Sequence, residues 1–425
     1  MKFLTSNNRI KRWTWTTMLL AATTVGMFSC SDSENDVTPE EEEVETAQLV
    51  AFNKNTPNGT IYYMAAYERL PDRLDASQAV ELGTEVRTDA FDEHAFTFNP
   101  NAGTITKWEF NKVTLEPRPI GILSIASVGF SGNINTKAFV SETQAYVFNL
   151  NEGTAVKWNP QSMEITEKIT FQANPLVGVH PNGQTDEWAV FTDNAYVKGE
   201  NIIIPIAFSL SRVCCDVQQP GANIAVFNIN DNTIKYNQDQ RSFANGGRFI
   251  FDENENMYVL PERYNPFVNA FYGQNKTNLF TYLKIDDNGG IDPNFGFKLD
   301  EALPDITMEW DPMFVRDNKL VTSYFDNTAF QFTSWDTRYD IFSKEGRTVA
   351  IDLDTKTVEP FDGYINEGYP TGYVVATIDG VNYHSGIVNS NGVWSASLQR
   401  ENSFGNHTDL TFNEGGYIRT YAKLW

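Results

Sequence analysis

Cysteine is nearly missing: three residues in a chain of 425, namely Cys30, Cys214 and Cys215. Two adjacent cysteines close no loop, and no C-x-x-C pair is present. A disulfide framework and a zinc site of the usual spacing are therefore excluded. Cys214 and Cys215 read as two small residues or as a vicinal disulfide stiffening a loop. Histidine is as scarce, with His94, His180, His384 and His407 all outside any H-E-x-x-H spacing. G-x-S-x-G, a P-loop and a strand-linked G-x-G-x-x-G are absent too. Asp286-Asp287-Asn288-Gly289-Gly290 lacks calcium-loop spacing and reads as a hairpin turn. Asp336, Asp352 and Asp354 are carboxylates without an identifiable partner. The expectation is a protein that is not an enzyme, with no resident cofactor or metal.

Positive charge is also in deficit. Lys and Arg number 32 against 55 acidic residues, a formal charge of −23. So acidic a surface argues against nucleic acid and anionic lipid as partners. Amphipathic helices of ten or more residues are absent as well. The one candidate, Leu70 to Leu82, is short and carries Pro71 at its start.

What is present begins with an address. Arg9, Lys11 and Arg12 precede an apolar stretch from Trp13 to Phe28, which ends in Met27-Phe28-Ser29-Cys30. This predicts a lipoprotein signal peptide over 1–29 and a lipid-modified Cys30. Removing 1–29 takes away four bases (Lys2, Arg9, Lys11, Arg12) and no acid, so −23 becomes −27. Ser31-Asp32-Ser33-Glu34-Asn35-Asp36 and Glu40 to Glu43 follow. Residues 30–46 then read as an acidic tether. A serine and acidic residues behind the lipid cysteine resemble the export tag of Bacteroidetes surface lipoproteins. That resemblance implies an outer-membrane protein facing the exterior.

From Ala47 to the end, short strands dominate, separated by Asn-, Asp- and Gly-rich turns. The pattern repeats. His94-Ala95-Phe96-Thr97-Phe98-Asn99, Gly103-Thr104 and Lys107-Trp108 recur, each offset by 50, as Gln144-Ala145-Tyr146-Val147-Phe148-Asn149, Gly153-Thr154 and Lys157-Trp158. Weaker copies run through Ile224–Tyr236, Leu279–Gly290 and Thr348–Val358. Hairpin repeats of this period point to an all-β propeller over 47–425 with four-stranded antiparallel blades. Seven blades fit the length best, with six or eight as alternatives, and a row of β-sandwiches is the competing architecture.

With strands counted outward from the axis, the repeated hairpin is expected to be the third and fourth. The second would be Lys137 to Ser141, Asn201 to Phe208, Asn256 to Leu260 and Lys319 to Phe325. Three successive connections between second and third strands are then long, at about 209–222, 261–277 and 327–345. They carry Arg212, Arg263, Tyr264, Trp335, Arg338 and Tyr339. Connections between blades would add Arg118, His180, Arg241, Trp310 and Tyr369 at the same end. Arginine offers a planar cationic fork, and Tyr and Trp offer rigid area with a polar tip. That set suits a planar oxygen-rich anion, and also sugars.

The Cys30 site, its acidic tail, the FNPNAGTITKW and FNLNEGTAVKW hairpins and the 50-residue period together resemble the surface-lipoprotein propellers of the Bacteroidetes. One class of these serves in xenosiderophore utilisation. The resemblance implies capture of a ferric siderophore, a catecholate by preference, and delivery to a TonB-dependent outer-membrane receptor. The siderophore fills the iron's coordination shell, so protein metal ligands are not required. Long-range repulsion of an anion by so acidic a chain is screened beyond about 8–10 Å at physiological salt. A glycan-binding surface lipoprotein and a propeller enzyme are the competing readings.

Overall fold

In a computed structural model, residues 43–425 are described except 131–133, 135, 176–187, 192–194, 211–220, 243–248, 262–277, 329–345, 362–371, 380, 391–392 and 404–405. Seven antiparallel sheets follow one another along the chain as the blades of a seven-bladed β-propeller. From inner to outer strand, blade 2 runs Arg87–Phe91, His94–Asn99, Thr104–Phe110, Pro117–Ser124. Blade 3 runs Lys137–Ser141, Gln144–Asn149, Thr154–Asn159, Glu164–Thr170. Blade 4 has a split inner strand, Trp188–Phe191 and Tyr196–Lys198, then Asn201–Leu210, Ala222–Asn228, Ile234–Asp239. Blade 5 is Phe249–Phe251, Met257–Val259, Thr281–Lys284, Phe297–Lys298. Blade 6 is Ile306–Arg316, Lys319–Asp326, Arg347–Asp352, Val358–Pro360. Blade 7 is Gly372–Ile378, Val381–Ser390, Val393–Ser403, Asn406–Glu414.

Blade 1 closes the ring. Its inner strand, Ile418–Lys423, comes from the C-terminal end, and Gln48–Thr56, Gly59–Tyr67 and Val80–Gly83 complete it. Ile418–Lys423 lies against the inner strands of blades 7 and 2. Asn53 fixes this junction. Its N–H donates to the Tyr417 carbonyl at 2.9 Å, its Oδ1 accepts from the Tyr417 N–H at 2.8 Å, and its own carbonyl accepts from Asn413 Nδ2 at 2.8 Å. A Cβ on Gly416 would stand 1.8 Å from the Asn53 carbonyl oxygen, so only glycine fits there.

The turns explain the repeat. Asn99, Asn149, Asn228 and Asp352 each end a strand, and each side-chain oxygen accepts N–H groups two or three residues on. This local bond holds the reversal without help from the core. In blades 2 and 3 a left-handed glycine completes it, Gly103 at φ 61° and Gly153 at φ 66°.

Strand position is where the sequence reading needs correction. The FNPNAGT and FNLNEGT hairpins join second to third strands, whereas the Ile224–Tyr236, Leu279–Gly290 and Thr348–Val358 hairpins join third to outer strands. Lys137–Ser141 is accordingly an inner strand. Any buried hairpin alternates apolar and polar residues alike, so the pattern carries no radial coordinate. Leu70 to Leu82 forms no α-helix. A 3₁₀ turn at Ala76–Gln78, capped by Asp75, leads into Val80–Gly83. Among the described residues the longest α-helical stretch is Leu299–Ala302.

Blade faces are covered by their neighbours. Phe96, Phe98 and Ile105 of blade 2 pack on Ala145, Val147 and Trp158 of blade 3. Tyr146 and Phe148 of blade 3 pack on Ile202, Ile204 and Phe227 of blade 4. Apolar clusters likewise bridge blades 4 and 5, 5 and 6, 7 and 1, and 1 and 2. Each fully buried aromatic or aliphatic side chain contributes roughly 1.5–3 kcal/mol.

Gly153→Ala tests the turn logic. The new Cβ would meet the Phe171 carbonyl oxygen at 2.3 Å, on top of the left-handed strain. A loss of at least about 2 kcal/mol is expected from urea unfolding midpoints. Gly103→Ala, whose Cβ would meet only the Ala126 Cβ at 3.1 Å, should cost less.

Candidate ligand-binding site

Antiparallel blades give the ring two unlike faces. On one, inner strands turn into second strands and third into outer. On the other, second strands lead to third, and each blade leads to the next. On this second face, blades 1, 2, 3 and 7 make short connections: 57–58, 100–103, 150–153 and 391–392. Blades 4, 5 and 6 make long ones, 211–221, 260–280 and 327–346. Three adjacent blades thus send their longest insertions from the same end of the ring.

The root of the blade 6 insertion is pinned by charge. Asp326 ends the second strand of blade 6 with its side chain 8% exposed, and Arg347 meets it at 3.0 Å. Thr328 donates to the same carboxylate through N–H and hydroxyl, at 3.0 and 2.5 Å. Deeper, Glu309 on the inner strand of blade 6 is buried. Its Oε1 accepts from Thr322 Oγ1 at 2.6 Å and from the Tyr282 hydroxyl of blade 5.

Only part of the expected binding set comes to this face. Arg212, Arg263, Tyr264, Trp335, Arg338 and Tyr339 belong to the three long connections and, like Tyr369, His180 and Cys30, lie outside the described residues. Trp310 is not in a connection between blades but within the inner strand Ile306–Arg316, and its side chain is outside the description. Arg118 is not in a connection either. It stands exposed on the outer strand of blade 2 and pairs with Glu109 at 2.7 Å. Arg241 does follow the outer strand of blade 4, but its donors are already engaged. They reach the Asp239 carboxylate and the carbonyls of Asp292, Pro293 and Phe295 at 2.7–3.1 Å. Burial pushes the Asp239 carboxyl up, but the bonds from Arg241 outweigh it and hold it below the ordinary range. Arg241 therefore staples blade 4 to blade 5.

The opposite face holds a feature the sequence reading missed. A cavity of about 1200 Å³ sits at the axial mouth, lined by inner strands of blades 4, 5, 6, 7 and 1. Arg316 of blade 6 and Arg419 of blade 1 are in its wall, each with its guanidinium 4.9 Å from a ring centroid, Phe314 and Tyr417 respectively. The blade 5 turn Asp252-Glu253-Asn254-Glu255-Asn256 is in the same wall. Asp252 Oδ1 accepts the N–H groups of Asn254 and Asn256 at 2.9 and 2.8 Å, which shapes that turn.

Arg316 leads from the cavity into the seam between blades 6 and 7. Its two Nη atoms hold the two Glu401 oxygens at 2.6 and 2.8 Å, and Asn382 Nδ2 donates to Glu401 Oε2 at 3.2 Å. His384, fully buried, stands 3.7 Å from the same oxygen and packs on Phe314. Burial pushes the Glu401 carboxyl up, but His384 and Arg316 outweigh it and hold it below its ordinary value of 4.5. The signal for this cluster was present but ambiguous: Asn382 and His384, then Ser397, Gln399 and Glu401, fall on alternate positions. That alternation reads equally as a solvent-facing strand edge. Among the described residues no three His, Cys, Asp or Glu side chains converge as metal ligands, and no helix is long and apolar enough to cross a membrane.

No family model matches the chain, and no curated protein matches it in sequence. Solved structures share its architecture. A Bacteroides fragilis protein assigned as a 6-phosphogluconolactonase aligns over 92% of this chain and 99% of its own, at 10% identity and TM-score 0.49. The periplasmic gluconolactonase of Pseudomonas aeruginosa aligns over 88% and 99%, at 10% identity and TM-score 0.46. Apo AztD of Citrobacter koseri aligns over 88% and 98%, at 10% identity and TM-score 0.38. At such identity the likeness concerns the fold alone. It nonetheless corrects the expectation that the chain is not an enzyme, because proteins named as enzymes share this architecture. Propellers assemble their sites from distant blades, so missing linear motifs exclude no catalysis.

Glu401→Gln tests the seam. Breaking the pair should cost on the order of 2–4 kcal/mol at pH 7. Because the folded pKa is lowered, the wild-type contribution is present above the ordinary carboxylate value and is lost as pH falls through the folded one. The gap between wild type and variant in denaturant titrations should therefore narrow on acidification.

Proposed function

We propose that this protein is a cell-surface lipoprotein that captures a ferric siderophore, a catecholate by preference, and hands it to a TonB-dependent outer-membrane receptor. The observation that carries the proposal is topological. Three consecutive blades emit their long connections from one face, and those connections hold Arg212, Arg263, Tyr264, Trp335, Arg338 and Tyr339. Arginine forks and aromatic faces match an anionic, flat-sided tris-catecholate complex. Cys30 and the acidic residues behind it support attachment to the membrane by lipid and display outward.

The test uses the lipidated chain in detergent and follows tryptophan fluorescence during titration with ferric catecholates. Quenching with a Kd of about 1 μM or below is expected. Combined Arg212→Ala, Arg263→Ala and Arg338→Ala substitution should weaken it at least about tenfold, some 1.4 kcal/mol. Recovery of the ligand afterwards, analysed by mass, reports any turnover. Cys30→Ser should leave the membrane fraction while keeping affinity. Absence of quenching by every ferric catecholate tested would overturn the proposal, and retardation in polysaccharide gels instead would move it to glycans.

A further inference from the structure

We propose that the axial cavity on the turn face is a second binding site, separate from the insertion face, and that it takes a short extended peptide with free ends. Four observations converge on that class of ligand.

The first is charge arrangement. Arg419 stands in the wall on blade 1, and Asp252, Glu253 and Glu255 stand on blade 5, while the charge of Arg316 on blade 6 is met by Glu401. Lys198 and Asp287, also in the wall, pair with each other at 3.4 Å and cancel. The lining is thus dipolar. It complements a molecule with a carboxylate at one end and an ammonium at the other.

The second is the state of the two arginines. Arg419 is exposed, stacks on Tyr417 and makes no ion pair among the described residues. Arg316 spends one N–H from each Nη on Glu401 and is held rigid by that fork and by Phe314. A guanidinium has five N–H donors, so Arg316 keeps donors for a cavity ligand. Both cations are therefore oriented before a ligand arrives, which lowers the ordering cost of binding.

The third is the backbone. Inner strands of five blades line the cavity, and each inner strand is hydrogen-bonded to a neighbour on its outer side only. Its other edge offers N–H and C=O groups to the axis. An extended peptide pairs with such an edge through its own main chain, whereas a sugar or a simple acid does not. Asn254 lies in the same wall, while Asn256 donates to Asp252, and Asn382 donates to Glu401 and accepts from Thr377.

The fourth is size. About 1200 Å³ exceeds what a single amino acid fills and suits several residues.

The experiment is calorimetric titration of the full chain with trialanine, N-acetyl-trialanine and trialanine amide. Binding of trialanine is expected, with each blocked form at least about tenfold weaker. Arg419→Met should erase the difference between free and amidated C-termini while keeping that between free and acetylated N-termini. Paired Glu253→Gln and Glu255→Gln should do the converse. No binding of trialanine, or equal binding of all three peptides, would overturn the proposal. Titration with ferric catecholate in the same variants reads the insertion face separately, so either site can fail without the other.

Discussion

A four-stranded blade has two faces and cannot cover either one alone. Everything else in this protein depends on meeting that demand by radial stacking and by closing the stack on itself. The closing element is Ile418–Lys423, which enters blade 1 as its inner strand, against the inner strands of blades 7 and 2. Asn53, Asn413 and Gly416 make the junction, and Trp425 Nε1 donates to the Val44 carbonyl at 3.0 Å beside it. Without closure the facing sides of blades 1 and 7 would meet water.

The seams between blades are unequal. Six are spanned by apolar clusters among the described residues. The seam between blades 6 and 7 instead carries Arg316 on Glu401, with Asn382 and His384 beside the same carboxylate and His384 packed on Phe314. Burying charge is a poor way to gain stability, since desolvation offsets most of the attraction. What the ion pair supplies is position. It fixes Arg316 at the cavity wall, where a well-packed leucine seam would leave no cation. Glu309 plays a related part between blades 5 and 6, tying Tyr282 and Thr322 to one carboxylate beneath the long insertions. The two faces thus share blade 6 as their common support.

Much of this architecture is legible in the sequence, and for a physical reason. Asn149 and Gly153 act locally: an amide oxygen gathers N–H groups and a left-handed glycine finishes the turn, so the hairpin announces itself in five residues. Radial position is not local. His94–Asn99 and Ala222–Asn228 read alike, yet one is a second strand and the other a third. The same blindness affected single residues. Arg241 looked like a free cation because its acceptors, the carbonyls of Asp292, Pro293 and Phe295, lie more than fifty positions away. Arg316 and Arg419 passed unnoticed because only closure of the ring brings them to one cavity.

Ring closure is most directly measured by amide hydrogen exchange followed by mass spectrometry on the full chain. If the C-terminal strand is an integral part of the ring, the amides of Ile418–Lys423 will exchange as slowly as those of Gln144–Asn149 in the middle of blade 3. Fast exchange of Ile418–Lys423 while blade 3 stays protected would contradict the account, showing a ring that stands without its clasp.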